Sequence, residues 1–193
     1  MKNFFKSDWF RCTAVLLCLL VFFGGLLAVL NDLLFVPPEE RTARAIKKIY
    51  GSVPEYAIEL DLDNGGTAIT NDFGTISKKY LVGDDVLFRA TGINGYKGGT
   101  ITLWLKVVKT NENYVIDKVI LDGYEKQTLM SKFGGDYYEN FLIDVTDAYE
   151  NGQGVFSPKA DATGLKNPMS GATMSATAAC NAVNCVITYL GGK

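Results

Sequence analysis

Near the C-terminus, Ser170-Gly171-Ala172-Thr173 is followed by Met174-Ser175-Ala176-Thr177 and a run to Leu190 in which Val183, Val186, Ile187 and Leu190 recur at roughly the spacing of one helical face. Ser170 and Gly171 are good helix-start residues, so a helix is predicted to begin here. The first turn of a helix has unpaired backbone N–H groups and a partial positive charge, which favour a phosphate or another anion. Gly171 lets such a group approach the backbone closely, Ala172 adds no bulk, and Thr173 sets a hydroxyl at the same place. The alternative for these residues is a plain Ser/Gly helix cap with no ligand.

What the chain lacks narrows the chemistry. It contains no histidine, which removes a Ser-His-Asp triad, a His-ligated zinc and a His-ligated haem. Of its four cysteines, Cys12 and Cys18 lie in an apolar run near the N-terminus. Cys180 and Cys185 lie on the predicted last helix about 140° apart around its axis, too divergent for an easy disulfide and suited to buried packing. No cysteine cluster for iron and sulfur exists, so a redox centre here has to be organic. The pairs Asp61 with Asp63, Asp84 with Asp85, and Asp144 with Asp147 lack EF-hand spacing and read as turn or surface positions. No Gly-x-Gly-x-x-Gly or P-loop pattern appears, which argues against an exchanging dinucleotide or nucleoside triphosphate. A formal net charge of -2 without a basic patch argues against nucleic acid. Lys47-Lys48 and Lys78-Lys79 read as solvated positions.

With its neighbours included, this segment resembles the FMN-binding domain of the RnfG and NqrC subunits of the Rnf and Na+-translocating NADH:quinone oxidoreductase complexes. That family's motif reads Asp-x-x-Ser/Thr-Gly-Ala-Thr, and its last Thr is esterified to the phosphate of FMN by a separate flavin transferase. Here Asn167-Pro168-Met169-Ser170-Gly171-Ala172-Thr173 puts Thr173 in the acceptor position. Asn167 stands where the family usually has Asp, keeping the hydrogen-bonding shape without the charge. Ser175 stands where many members carry a second Thr. Two more segments match in order and spacing. Gly95-Tyr96-Lys97-Gly98-Gly99 leading into Thr100 to Leu105 is similar to the family's Gly-Tyr-x-Gly turn before a core strand. Tyr124 to Met130 is similar to the flavin-bordering segment Glu-Thr-Pro-Gly-Leu-Gly, with Gln127 in place of the Glu, Thr128 kept, Leu129 next and the Pro-Gly missing. The resemblance covers roughly residues 85 to 190.

The resemblance implies FMN held covalently through a phosphoester to Thr173. Ser170, Gly171, Ala172, Asn167, Ser175, Gln127, Thr128, Leu129 and Tyr96 would surround the cofactor, with no catalytic residue and no metal. It implies an electron-transfer subunit, not catalytic alone, that works with other membrane redox subunits of an Rnf/Nqr-like ion-translocating complex and is matured by an FAD-dependent flavin transferase. Two other functions stay open: a stand-alone extracytoplasmic flavoprotein carrier, and a non-redox membrane-tethered binding or assembly module. Met130, Phe133, Tyr137, Tyr138 and Phe141 read mainly as core, with one or two available to line the flat apolar face of an isoalloxazine ring.

The elements that must position these residues begin with an anchor. Cys12 to Leu30 is uncharged and almost wholly apolar, long enough to cross a hydrocarbon core of about 30 Å. Lys2, Lys6 and Arg11 precede it, whereas Asp32, Glu39 and Glu40 follow, so the positive-inside rule predicts a cytoplasmic N-terminus and an extracytoplasmic remainder at the cell membrane. Trp9 and Phe10 sit where an interfacial aromatic belt would place them. A cleaved signal peptide competes with this view, but its apolar region is typically about 7 to 15 residues with a small-x-small cleavage site.

Pro37 and Pro38 end the anchor. Glu39 to Tyr50 is predicted as an amphipathic helix, with Ala43, Ile46, Ile49 and Tyr50 along one side. Gly51 and Pro54 break it. Strands are predicted at Tyr56 to Leu62, Thr67 to Asn71, Asp85 to Thr91, Thr100 to Lys109 and Tyr114 to Asp122, with a turn at Asn111-Glu112-Asn113. A short helix at Tyr137 to Phe141, a loop through Asn151 to Asn167 and the final helix complete an α+β fold: one transmembrane helix, then a small mostly antiparallel sheet packed with helices. The expected division is 1–36 for the N-terminus and anchor, 37–84 for a linker helix and the first part of the outer domain, and 85–193 for the FMN-binding domain.

Overall fold

A computed structural model describes residues 8–54, 56–62, 68–110, 113–145 and 172–191. The chain divides into two compact units, Met1–Thr42 and Ala43–Lys193. The first is dominated by α1, Asp8–Leu34, a helix of 27 residues. At 1.5 Å per residue it is about 40 Å long. Its apolar side chains are exposed, Leu16, Leu20, Val21 and Leu27 by about two-thirds, and its length and composition suffice to cross a membrane. It stops at Leu34, just before Phe35-Val36-Pro37, because a proline disfavours helical backbone in the residue before it. The Arg41 Nε donates to the Val36 carbonyl at 3.0 Å, securing this turn of chain.

The next helix, α2, runs Pro38–Tyr50, with Glu39 and Glu40 in its first turn and Lys47 and Lys48 in its last, as the helix dipole favours. The boundary between the two units falls inside it. Its buried stripe is Ala45, Ile46 and Ile49. Ala43, expected on that stripe, is only half-buried, and Ala45 takes its place.

The sheet is antiparallel throughout: β1 (Ala57–Glu59), β2 (Ile69–Asn71), β3 (Gly74–Val82), β4 (Asp85–Gly92), β5 (Ile101–Thr110) and β6 (Asn113–Tyr124). The order is β1-β3-β4-β5-β6, and β2 shares the outer edge of β3 with β1. The three strands predicted from Asp85 onward lie within two residues of their expected spans, whereas the one expected over Tyr56 to Leu62 is only Ala57–Glu59 and the one from Thr67, itself outside the described residues, is Ile69–Asn71. The long strand β3 was not expected. Lys78 and Lys79, read from sequence as solvated, lie inside it and are half-buried. Lys78 Nζ meets Glu59 at 3.4 Å and the Tyr80 hydroxyl at 3.0 Å, so its charge is matched within the sheet. The expected boundary between residues 84 and 85 falls in the turn of the β3–β4 hairpin.

Period-two alternation sorts the two faces. Ile101, Leu103, Leu105 and Val107 of β5 join Phe88 and Ala90 of β4 on the face that packs α4, Thr173–Gly191. Trp104 of β5 and Leu87 of β4 point the other way, into a smaller cluster with Tyr80, Ile120 and the buried stripe of α2. Lys118 Nζ donates to the Ile49 carbonyl at 3.1 Å, satisfying an end carbonyl of α2. Between β6 and α4 lies α3, Gly135–Tyr138, continued as a single 3-10 turn at Glu139–Phe141, so the short helix begins two residues before its predicted start. Phe133, Tyr137, Tyr138 and Phe141 belong to the α4 core cluster. Helix α4 is buried nearly all round from Ser175 to Ile187, as a helix apolar on every side should be. The loop expected through Asn151 to Asn167 lies outside the described residues.

Candidate functional site

The connection from β4 to β5 and the chain leaving β6 emerge at the same end of the sheet, since Gly92 pairs with Ile101 and Ile101 with Tyr124. The start of α4 lies there too. The strand-end segment 92–99 is tied to α4 at successive points. At Gly92 a Cβ would collide with the Ala178 carbonyl oxygen and the Ala182 backbone nitrogen, so the helix backbone rests directly on the strand. Next, Asn181 Nδ2 donates to the Ile93 carbonyl at 2.8 Å.

The third tie is a buried polar node. Gln127 and Ser175 are only 7% and 4% exposed. Ser175 Oγ donates to Gln127 Oε1 at 2.6 Å, and the Tyr96 backbone N–H donates to the same oxygen at 3.2 Å. Gln127 Nε2 donates to the Glu125 carbonyl at 2.9 Å, a carbonyl that also accepts from Thr100 N–H at 3.2 Å. Space at this node exists only because two neighbours have no side chain: a Cβ on Gly95 or Gly99 would lie 2.6 or 2.5 Å from Gln127 Nε2. The turn closes on itself through Gly95 N–H to the Gly99 carbonyl at 2.9 Å.

The same two segments hold the non-glycine residues with left-handed backbone among the described residues: Asn94 (φ 66°), Lys97 (φ 51°) and Lys126 (φ 56°). Such a conformation disfavours any residue with a Cβ and persists where surrounding contacts hold it.

Thr173 opens α4 and is exposed, and Met174 beside it is 52% exposed. The preceding Ala172 is buried and its carbonyl accepts from Ala176 N–H at 2.9 Å, the first helical bond. Tyr96 is 37% exposed, with Lys97 Nζ 5.4 Å from its ring centroid. Thr173 is thus an exposed residue at a helix start beside the exposed Met174, and Tyr96, Lys97 and Lys126 are exposed in the two segments that the Gln127 node joins to this helix.

Of the residues picked out by sequence, Thr173, Ala172, Ser175, Gln127 and Tyr96 come together here. Thr128 is exposed one residue beyond the node, and Leu129 packs on the edge of the main core. Asn167, Ser170 and Gly171 lie outside the described residues. Sequence reasoning passed over Gly92 and Asn181, which fix the turn to the helix. The available signal for Asn181 was an amide in an otherwise apolar helix, where burial demands a partner.

Other chemistry-bearing groups lie elsewhere. Asp85 pairs with Lys106 Nζ at 3.3 Å, and Asp117 does so at 2.6 Å. Among the described residues no group of three or more Cys, Asp or Glu side chains could hold a metal ion. A cleft of about 570 Å³ opens along β6, lined by Lys118, Leu121, Phe133, Tyr138, Glu139 and Leu142 among others, and it contains no residue of the Thr173 cluster. No family model, curated protein or solved structure matches the chain.

Proposed function

We propose that this chain is a membrane-anchored electron-transfer flavoprotein whose FMN is held by a phosphoester to Thr173 and which serves an Rnf/Nqr-like redox complex. The observation that carries this reading is convergence. Three segments of the chain resemble one flavin-binding family at sequence level, and Tyr96, Gln127 and Ser175, one from each, meet through hydrogen bonds to a single amide oxygen. Thr173 stands two residues away, its side chain open to solvent.

The residues present suit the group. An exposed hydroxyl at the start of a long helix accepts a phosphoryl group in a field that favours its negative charge. Met174 next to it, and Tyr96 in the turn joined to the same helix, offer exposed apolar surface for a flat ring system, and Lys97 and Lys126 carry positive charge in the joined segments. Attachment follows from simple bond exchange on the transferase: the Thr173 hydroxyl attacks the FMN-side phosphorus of FAD, a phosphoester forms, the pyrophosphate bond breaks, AMP leaves and the hydroxyl proton is released. Bound FMN supplies the redox chemistry, one or two electrons at a time, and the chain supplies retention and position. Covalent retention has its clearest purpose outside the cytoplasm, where a dissociated cofactor would be diluted away.

The test is co-expression of the full chain with a flavin transferase. Flavin fluorescence should survive denaturing electrophoresis, the intact mass should rise by one FMN less water, and Thr173→Ala should lose both signals. A colourless wild-type chain of unmodified mass would leave Thr173 as a helix-start residue only and favour the tethered binding module. Solubilised membranes that yield the flavinylated chain without other redox subunits would favour the stand-alone carrier.

A further inference from the structure

We propose that Gln127 is a positioning residue for attachment at Thr173: its carboxamide clasps the turn at 95–99 to the first turn of α4, so that Thr173 and Tyr96 are presented on one rigid rim. The inference rests on the phosphoester reading for its functional part, while the clasp itself rests on geometry alone.

The direction of the amide is fixed by its partners. Tyr96 N–H can only donate and the Glu125 carbonyl can only accept, so Oε1 must face the first and Nε2 the second. The Ser175 hydroxyl, able to do either, must then donate. Gln127 thus uses three hydrogen bonds to tie the first turn of α4 and the turn at 95–99 to its own segment, and no strand ladder reaches α4. Gly95 and Gly99 are shaped around its nitrogen. Left-handed backbone at Lys97, inside the turn, and at Lys126, next to Gln127 itself, marks both segments as held against local preference. Nothing about Gln127 requires contact with a bound group, since it is buried and its partners are all protein atoms. Its effect on Thr173 therefore passes through Ser175 and the helix start.

A carboxylate at 127 makes a discriminating variant. Ionised, it still accepts from Ser175 and Tyr96, but its second oxygen faces the Glu125 carbonyl and repels it. Protonated, it donates to that carbonyl and restores the clasp.

The experiment measures the initial rate of flavin attachment by the transferase to the full-length apo chain in detergent. Gln127→Ala should lower the rate at least tenfold and Ser175→Ala severalfold, whereas Ser175→Thr should keep most of it. Gln127→Glu should be slow at pH 8 and regain most of the wild-type rate, compared at equal pH, at pH 5.5. Hydrogen exchange on the same apo proteins should quicken at least tenfold in Gln127→Ala at amides 95–99 and 175–177 and stay unchanged in β4 and β5. Attachment at the wild-type rate in Gln127→Ala, or a Gln127→Glu defect indifferent to pH, overturns the positioning role. If the wild type takes no flavin, the phosphoester reading fails. The exchange measurement then decides the clasp on its own, and unchanged protection in Gln127→Ala rejects it. Should Gln127→Ala not fold, the pH dependence of Gln127→Glu carries the same decision.

Discussion

Cys180 and Cys185 are both free and both buried inside α4. Burial pushes the Cys180 thiol from its ordinary 9.0 up to about 12, against a smaller downward pull from the hydrogen bond with Tyr137. Cys185 rises to about 11 for the same principal reason, and the Tyr138 hydroxyl rises from 10.0 to about 12. In the unfolded chain these groups ionise near their ordinary values, whereas the native core keeps them neutral. Their contribution to stability is therefore whole below pH 9 and is lost as the pH climbs from there towards 11 to 12. The urea midpoint of the full chain in detergent should hold from pH 7 to about 8.5 and decline above pH 9. A Cys180→Ala, Cys185→Ala double variant should lack the first part of that decline and keep the tyrosine part above pH 10. A midpoint level from pH 7 to 11 would mean that the thiols are not buried as described. The same burial should leave both thiols unreactive to a maleimide at pH 8 until the chain unfolds.

Elements are held at closer range than residues alone would require. Helix α4 rests on Gly92 with its own backbone, at Ala178 and Ala182, so Gly92→Ala must push a helix off a central strand or bend both. Overpacking of this kind costs typically about 1 to 3 kcal/mol and sometimes more. Because neither neighbour is a flexible side-chain end, Gly92→Ala should fall at or above about 3 kcal/mol by urea unfolding of the full chain. A loss under about 1 kcal/mol would show that the helix stands further from the strand. Which elements were legible in the sequence follows from how cleanly each keeps its period. The alternation in β5 is nearly unbroken and α2 carries clear helical spacing, whereas α4, buried nearly all round, was legible as a long Ala-rich apolar run. In β3, Lys78-Lys79 and a bulge between Ile76 and Lys78 interrupt the period of two, so the strand was not expected and its two lysines read as solvated. For the candidate site, the sequence pointed to Thr173 together with Tyr96, Gln127 and Ser175, but not to the hydrogen bonds that join the last three, nor to Gly92 and Asn181. Gln127, Gly95 and Ser175 are far apart in the chain, and only the packing of strand ends against α4 brings their hydrogen-bonding groups within reach of one another.

At the scale of the whole molecule, the two units divide the work: one is a helix long and apolar enough to span a bilayer, the other a sheet domain presenting Thr173. Lys2, Lys6 and Arg11 towards the start of the chain and Asp32, Glu39 and Glu40 beyond its apolar run are the charges from which the positive-inside rule predicts an outer domain. For the proposed flavin the side matters chemically, because a covalent tether has its strongest rationale where lost flavin cannot be replaced. The native thiols suit a topology test, since Cys12 and Cys18 lie in α1 and Cys180 and Cys185 are buried. Asp84 stands at the exposed turn between β3 and β4, so Asp84→Cys creates a reporter on the domain, and Lys6→Cys creates one before the span. In intact cells a membrane-impermeant maleimide should label Asp84→Cys and leave Lys6→Cys unlabelled until the membrane is permeabilised. The reverse pattern would put Thr173 in the cytoplasm, where free flavin is replenished, and would remove the physical reason for a tether.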